Sequence, residues 1–122
     1  MNVKKIHHVS MMVVDTTRSL AFYRDILGLP VAENRPELDF GGAWLDVVEQ
    51  QIHLLELPNP DSCDGRPEHV GRDRHLALSV EGLDELVQRL EQAGIPYTKS
   101  RSGRNAVFCR DPDGNGIELI AV

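Results

Sequence analysis

The stretch GLPVAENR (Gly28–Arg35) lies over GIPYTKSR (Gly94–Arg101) at an offset of 66. Each copy opens with Gly-x-Pro, a combination that stops a helix and starts an extended segment. Working outward, IHLL (Ile52–Leu55) lies over IELI (Ile117–Ile120) at an offset of 65. HHVSMMVV lies over RHLALSV, which pairs His8 with His75 at an offset of 67. Three matches in the same order, at near-equal offsets, mark an internal duplication.

Each copy reads as βαβββ. In the first, KKIHHVSMMVV is β-branched and apolar enough for a strand. DTTRSLAFYRDILGLP follows as a helix, with Asp15 or Thr16 as N-cap and Leu20, Phe22, Tyr23, Ile26 and Leu27 at helical spacing. VAENRPEL, GAWLDVV and QIHLLEL are three strand-like pieces. In the second copy DRHLALSV is a strand and EGLDELVQRLEQAGIP a helix, followed by YTKSRS, NAVFCR and GIELIAV. A Pro/Gly/Asp-rich stretch, PNPDSCDGRPEHVG, separates the copies, and DPDGNG (Asp111–Gly116) is a turn. The expected organisation is a single domain over 1–122, with module one about 1–57, linker 58–70 and module two about 71–122.

Composition narrows the function. A chain of 122 residues, 41% hydrophobic and 26% charged, is an ordinary globular domain. Its net charge of −6 argues against nucleic acid or an anionic membrane as partner. There is no signal-like apolar segment, and two cysteines, Cys63 and Cys109, are too few for a disulfide framework, so a cytoplasmic protein is expected.

The duplication changes how the polar residues inside apolar strands are read. His53 interrupts QIHLLELP (Gln51–Pro58), and its counterpart is Glu118 in NGIELIAV. His8 and His75 form a second matched pair. Singly, each histidine is more often a hydrogen-bonded core or rim residue. Glu118 is harder to explain, because a buried carboxylate without a partner is costly. Three imidazoles and a carboxylate at matched positions suit one divalent first-row metal ion: Zn, Ni, Co, Mn or Fe.

These motifs resemble the vicinal oxygen chelate superfamily, the glyoxalase, bleomycin resistance protein and dioxygenase group. HHVSMMVVDTTRSLAFYRDILGL is similar to its opening strand and helix, GRDRHLAL to its third ligand-bearing strand, and DPDGNGIEL to its closing turn and strand. The resemblance covers essentially the whole chain. It implies an α+β fold in which two βαβββ modules form a cup-shaped mixed sheet with helices on the outside. It carries the metal-ligand positions onto His8, His53, His75 and Glu118. His7 is set aside because strand alternation puts it on the opposite face, and Glu56 because it lies three residues beyond His53. Glyoxalase I enzymes usually have a carboxylate where His53 stands, so the glyoxalase mechanism does not transfer unchanged.

By the same resemblance the expected activity is proton transfer, as an isomerase or lyase, on a small substrate that chelates the metal through two oxygens. Glu118 and His53 are the catalytic candidates. Two other readings stay open: a ring-cleaving dioxygenase, for which the chain is short, and a non-catalytic small-molecule binding or resistance protein. Arg74, Arg101, Arg104 and Trp44 are candidate substrate contacts, weighed against arginines that only solvate a surface. Arg66, His69 and Arg72 lie in the same region, and His69 reads as a solvated loop residue. Members of this size commonly form homodimers, which places His8 and His53 of one chain with His75 and Glu118 of its mate.

Overall fold

A computed structural model describes residues 1–122. The chain divides into two compact units, Met1–Pro60 and Asp61–Val122. In the first unit, β1 (His8–Met12) leads to helix α1 (Thr16–Leu20), then to β2 (Gly42–Val47) and β3 (Gln50–Leu55). The strand order is β1-β3-β2, with β1 parallel and β2 antiparallel to β3. Parallel neighbours need a crossover, and α1 with β2 supplies it. The apolar face of β3, Ile52 and Leu54, is fully buried with Phe22, Tyr23 and Leu45. The alternation that buries these side chains turns Gln51 and His53 to the other face.

Asp15 caps α1, its Oδ1 accepting the N–H groups of Thr17 (3.0 Å) and Arg18 (3.4 Å). The sequence reads as one regular helix, but α1 widens after Leu20 into a π-helical turn, Ala21–Ile26. There the Leu27 N–H donates to the Phe22 carbonyl at 3.0 Å. Adjacent residues of a regular helix diverge by about 100°. The wider turn brings Phe22 and Tyr23 into the core together, in edge contact at 4.9 Å. VAENRPEL is a second departure. It pairs with β2 only through a Val31–Leu45 bridge and the Ala32 N–H bond to the Trp44 carbonyl. Further on, the Arg35 guanidinium is drawn to the Phe40 carbonyl and Pro36 has no N–H for a ladder, so the strand ends.

The second unit repeats the plan: β4 (His75–Val80), α2 (Leu83–Gln92), β5 (Tyr97–Lys99), β6 (Ala106–Arg110) and β7 (Gly116–Ala121). The order is β4-β7-β6-β5, again with first strand parallel to last and the remaining pairs antiparallel. Leu83, Leu86 and Leu90 of α2 are buried, as are Ile117 and Leu119 of β7. Register makes the duplication concrete. Ser10 and Trp44 flank His53 in one sheet, as Ala77 and Phe108 flank Glu118 in the other. The two helix stops also match, with Gly28 and Gly94 at φ +79° and +70°, where a side chain would be strained. No helix is long and apolar enough to cross a membrane.

Two polar devices fix the second unit's strand ends. In DPDGNG, the buried Asp111 Oδ1 accepts the N–H groups of Asp113 and Asn115, both at 2.9 Å, and closes the β6–β7 connection. That sets the register which places Glu118 opposite Phe108. The stretch before β4 is tied down by Asp73, which binds Arg66 at 2.7 Å and Arg110 at 2.9 Å. Arg110 also donates to the carbonyls of Gly114 and Pro67.

Candidate metal centre

The first unit brings His8 and His53 together. Their rings stack at 4.1 Å, and Trp44 stacks on the other side of His53 at 3.9 Å with planes 3° apart. His53 is only 6% exposed. Burial in this sandwich, reinforced by nearby His8 and His7, lowers its pKa, so the ring is held neutral at ordinary pH. Gln51 fixes its tautomer. The Gln51 Nε2 group donates to Asn34 Oδ1 and Asp46 Oδ1, both at 3.0 Å, which leaves Oε1 to accept from His53 Nε2–H at 2.9 Å. The free lone pair of His53 is then on Nδ1. His8 uses its Nδ1 against His7 Nδ1 at 2.8 Å, leaving Nε2 free. His7 therefore supports the pair from beside it.

The second unit brings His75 and Glu118 together. The His75 Nδ1–H donates to the Asp73 carbonyl at 2.8 Å, an arrangement that orients metal-ligating histidines. Its Nε2 faces Glu118 Oε1 at 3.2 Å. With the ring proton committed to Nδ1, this is an acceptor against an acceptor. It needs something positive at that place, a second ring proton or a metal ion. Glu118 is 2% exposed, and its Oε2 is buried without a hydrogen-bond partner. Arg104 Nη2 lies 3.4 Å from that oxygen, close enough for attraction but not aligned to donate. A buried carboxyl oxygen without a hydrogen bond is costly, and a cation would remove that cost.

Each unit thus supplies two donors, and neither gathers three His, Cys, Asp or Glu side chains. Glu56, the rival to His53, is occupied elsewhere: its Oε1 accepts the Thr16 N–H at 2.8 Å at the start of α1. Trp44 is spent on stacking His53. Arg74 pairs with Asp61 at 2.5 Å. Arg101 and Arg104 line a cavity of about 320 Å³ together with His75 and Phe108. His69 is not a solvated loop residue. Its Nδ1 bonds Thr98 Oγ1 at 2.9 Å, its ring meets Phe108 edge-on at 5.1 Å, and burial lowers its pKa, helped by Arg101 and Arg72. Gln51 was the main site residue that sequence reasoning missed. Its signal was its place two residues before His53, on the same strand face. Both cysteines are free, and burial pushes the Cys109 thiol up to about 12, which makes it inert.

The profile of the Glyoxalase/Bleomycin resistance protein/Dioxygenase superfamily matches residues 5–119. The chain is 31% identical to Glyoxylase I 4 of Arabidopsis thaliana, over 98% of this chain and 71% of that protein. It is 32% identical to a lactoylglutathione lyase of Salmonella typhimurium, over 95% of this chain and 91% of the relative. Among solved structures it is similar to a variant of the fosfomycin resistance protein FosX from Listeria monocytogenes, complexed with Mn(II) and 1S,2S-dihydroxypropylphosphonic acid. The TM-score is 0.75 at 19% identity, covering 98% of this chain and 93% of that one.

Proposed function

This chain belongs to the glyoxalase/bleomycin resistance protein/dioxygenase superfamily, and we propose that it is a metal-dependent enzyme moving a proton, as an isomerase or lyase, on a small oxygen-chelating substrate. The observation that carries the reading is Glu118: a carboxyl group 2% exposed, one oxygen with no hydrogen bond and only Arg104 at 3.4 Å, the other facing the lone pair of His75 Nε2. The relatives add weight, one being a lactoylglutathione lyase and one a structure holding Mn(II).

His8, His53, His75 and Glu118 would hold the divalent ion through His8 Nε2, His53 Nδ1, His75 Nε2 and the Glu118 carboxylate. Bound there, the metal would supply Lewis acidity toward two neighbouring substrate oxygens and so stabilise enolate-like charge. The chain's own groups handle the proton. Glu118 Oε2 takes it from the carbon beside the substrate carbonyl and returns it to the neighbouring position. His53, neutral in its ring sandwich, is the second group able to accept it. The protein acts as a homodimer, His8 and His53 of one subunit completing a centre with His75 and Glu118 of the other.

Two experiments test this. Metal-loaded protein should turn over the hemithioacetal of methylglyoxal above a metal-only control, and Glu118→Gln should abolish the excess. Turnover equal to the control rejects glyoxalase chemistry. Mixing His8→Ala chains with Glu118→Ala chains should restore one centre per heterodimer, and no restoration rejects the shared site.

A further inference from the structure

We propose that the cavity beside His75 is an oxyanion pocket in which Arg72 and Arg101 hold an anionic group of the substrate: a phosphate, phosphonate or carboxylate. Assigning that group to the substrate rests on the proposed function; the pocket itself does not. Two cavities of about 320 and 390 Å³ lie in the second unit, and His69, Arg72 and Arg101 wall both. The first also takes in Arg104 and the hydroxyls of Ser100 and Ser102, with no carboxylate on its lining. Glu68 stands on the wall of the second.

Charge balance sets Arg72 and Arg101 apart from the other arginines of this unit. Arg66 and Arg110 are neutralised by Asp73, Arg74 by Asp61 and Arg24 by Asp25. The guanidinium groups of Arg72 and Arg101 have no ion-pair or hydrogen-bond partner, in a chain with 19 acidic residues and a net charge of −6. Arg72 and Arg101 are both exposed, so water screens their mutual repulsion, and an anion seated between them would turn it into attraction on both sides. Guanidinium forks match oxyanions in geometry as well as charge. The duplication sharpens the point. Arg35 stands where Arg101 does, and it is satisfied by the Phe40 carbonyl at 2.8 Å and lies over the Phe40 ring. Only the copy beside the carboxylate-bearing strand keeps its arginine free. Gly71 completes the wall by having no side chain, since an added Cβ would come within 2.8 Å of His69 Nε2 and 3.3 Å of Phe108 Cζ.

The test uses full-length protein stripped of metal, titrated calorimetrically at low salt with inorganic phosphate, methylphosphonate and acetate. At least one anion should bind. Arg72→Met and Arg101→Met should each weaken it about tenfold, and Gly71→Ala should weaken it by crowding, while Arg24→Met, with the same change of charge, should not. Preference for phosphate or methylphosphonate assigns a tetrahedral group, and preference for acetate a carboxylate. No binding of any of them, or equal weakening by Arg24→Met, overturns the pocket. Anion binding by a chain that takes up no metal would sink the proposed function and leave the pocket standing. Metal uptake without anion binding would do the reverse.

Discussion

The two units share a strand plan but treat their central polar residue in opposite ways. In the first, His53 is stacked between His8 and Trp44, and Gln51 holds its N–H. An imidazole can lose its charge, so burying it is cheap once its hydrogen bond is met. In the second, the residue at the place of Gln51 is Gly116, where a side chain would collide with Val70 and the Arg74 carbonyl. Glu118 therefore has no amide partner of its own and meets His75 Nε2 instead. The first unit satisfies its central residue within the fold and leaves one ring nitrogen of His53 open. The other is left with a donor set that a cation would complete.

That contrast can be broken most strongly at Glu118. Four-ligand metal sites are worth about 10–16 kcal/mol, so losing one ligand should cost on the order of 3 kcal/mol, roughly a hundredfold in affinity. Glu118→Gln should show that loss by competition with a chromophoric chelator. The same substitution should stabilise the metal-free chain by about 1 kcal/mol in thermal unfolding, because it removes a buried, under-satisfied carboxyl. A destabilised metal-free variant would mean that Glu118 serves the fold and not a metal.

Asp73 comes next, as the group that anchors the approach to His75. Its pKa is lowered from 3.8 to about 2, first by the Arg66 hydrogen bond and then by Arg110. A carboxyl with a depressed folded pKa adds stability that is complete above its unfolded pKa and is lost as pH falls through the folded one. Unfolding midpoints should therefore drop between about pH 4 and about pH 2. Asp73→Asn should lose about 2 kcal/mol at neutral pH and flatten that drop. An unchanged acid limb would remove Asp73 from the account.

The first unit offers the smaller effects. Gln51→Leu frees His53 from its fixed tautomer, which should weaken metal binding about tenfold while leaving far-ultraviolet circular dichroism unchanged. Val48, 96% exposed at the β2–β3 turn, sits at φ +54°, a conformation that β-branched residues avoid. Val48→Gly should raise stability by about 1 kcal/mol in a denaturant titration.

The duplication was legible because it is written in apolar alternation and in the two Gly-x-Pro stops, features that act locally. The matched pairs His8/His75 and His53/Glu118 followed from it, and the structure brings each unit's two members together. What stayed hidden depends on side chains meeting across the fold. The π-helical turn answers to packing of Phe22 and Tyr23, not to helix propensity. His69 reads as a polar loop residue until Phe108 and Thr98 come against it. Arg74 and Arg72 are indistinguishable in RPEHVGRDR, yet Asp61 neutralises one and nothing neutralises the other.

The most direct test of the central claim is the metal content of untagged protein after reconstitution, measured by elemental analysis beside His53→Ala and Glu118→Ala. The proposed ligand set of His8, His53, His75 and Glu118 predicts about one divalent ion per chain, lost or sharply reduced in both variants. No metal in the parent protein, or full occupancy in either variant, would contradict it.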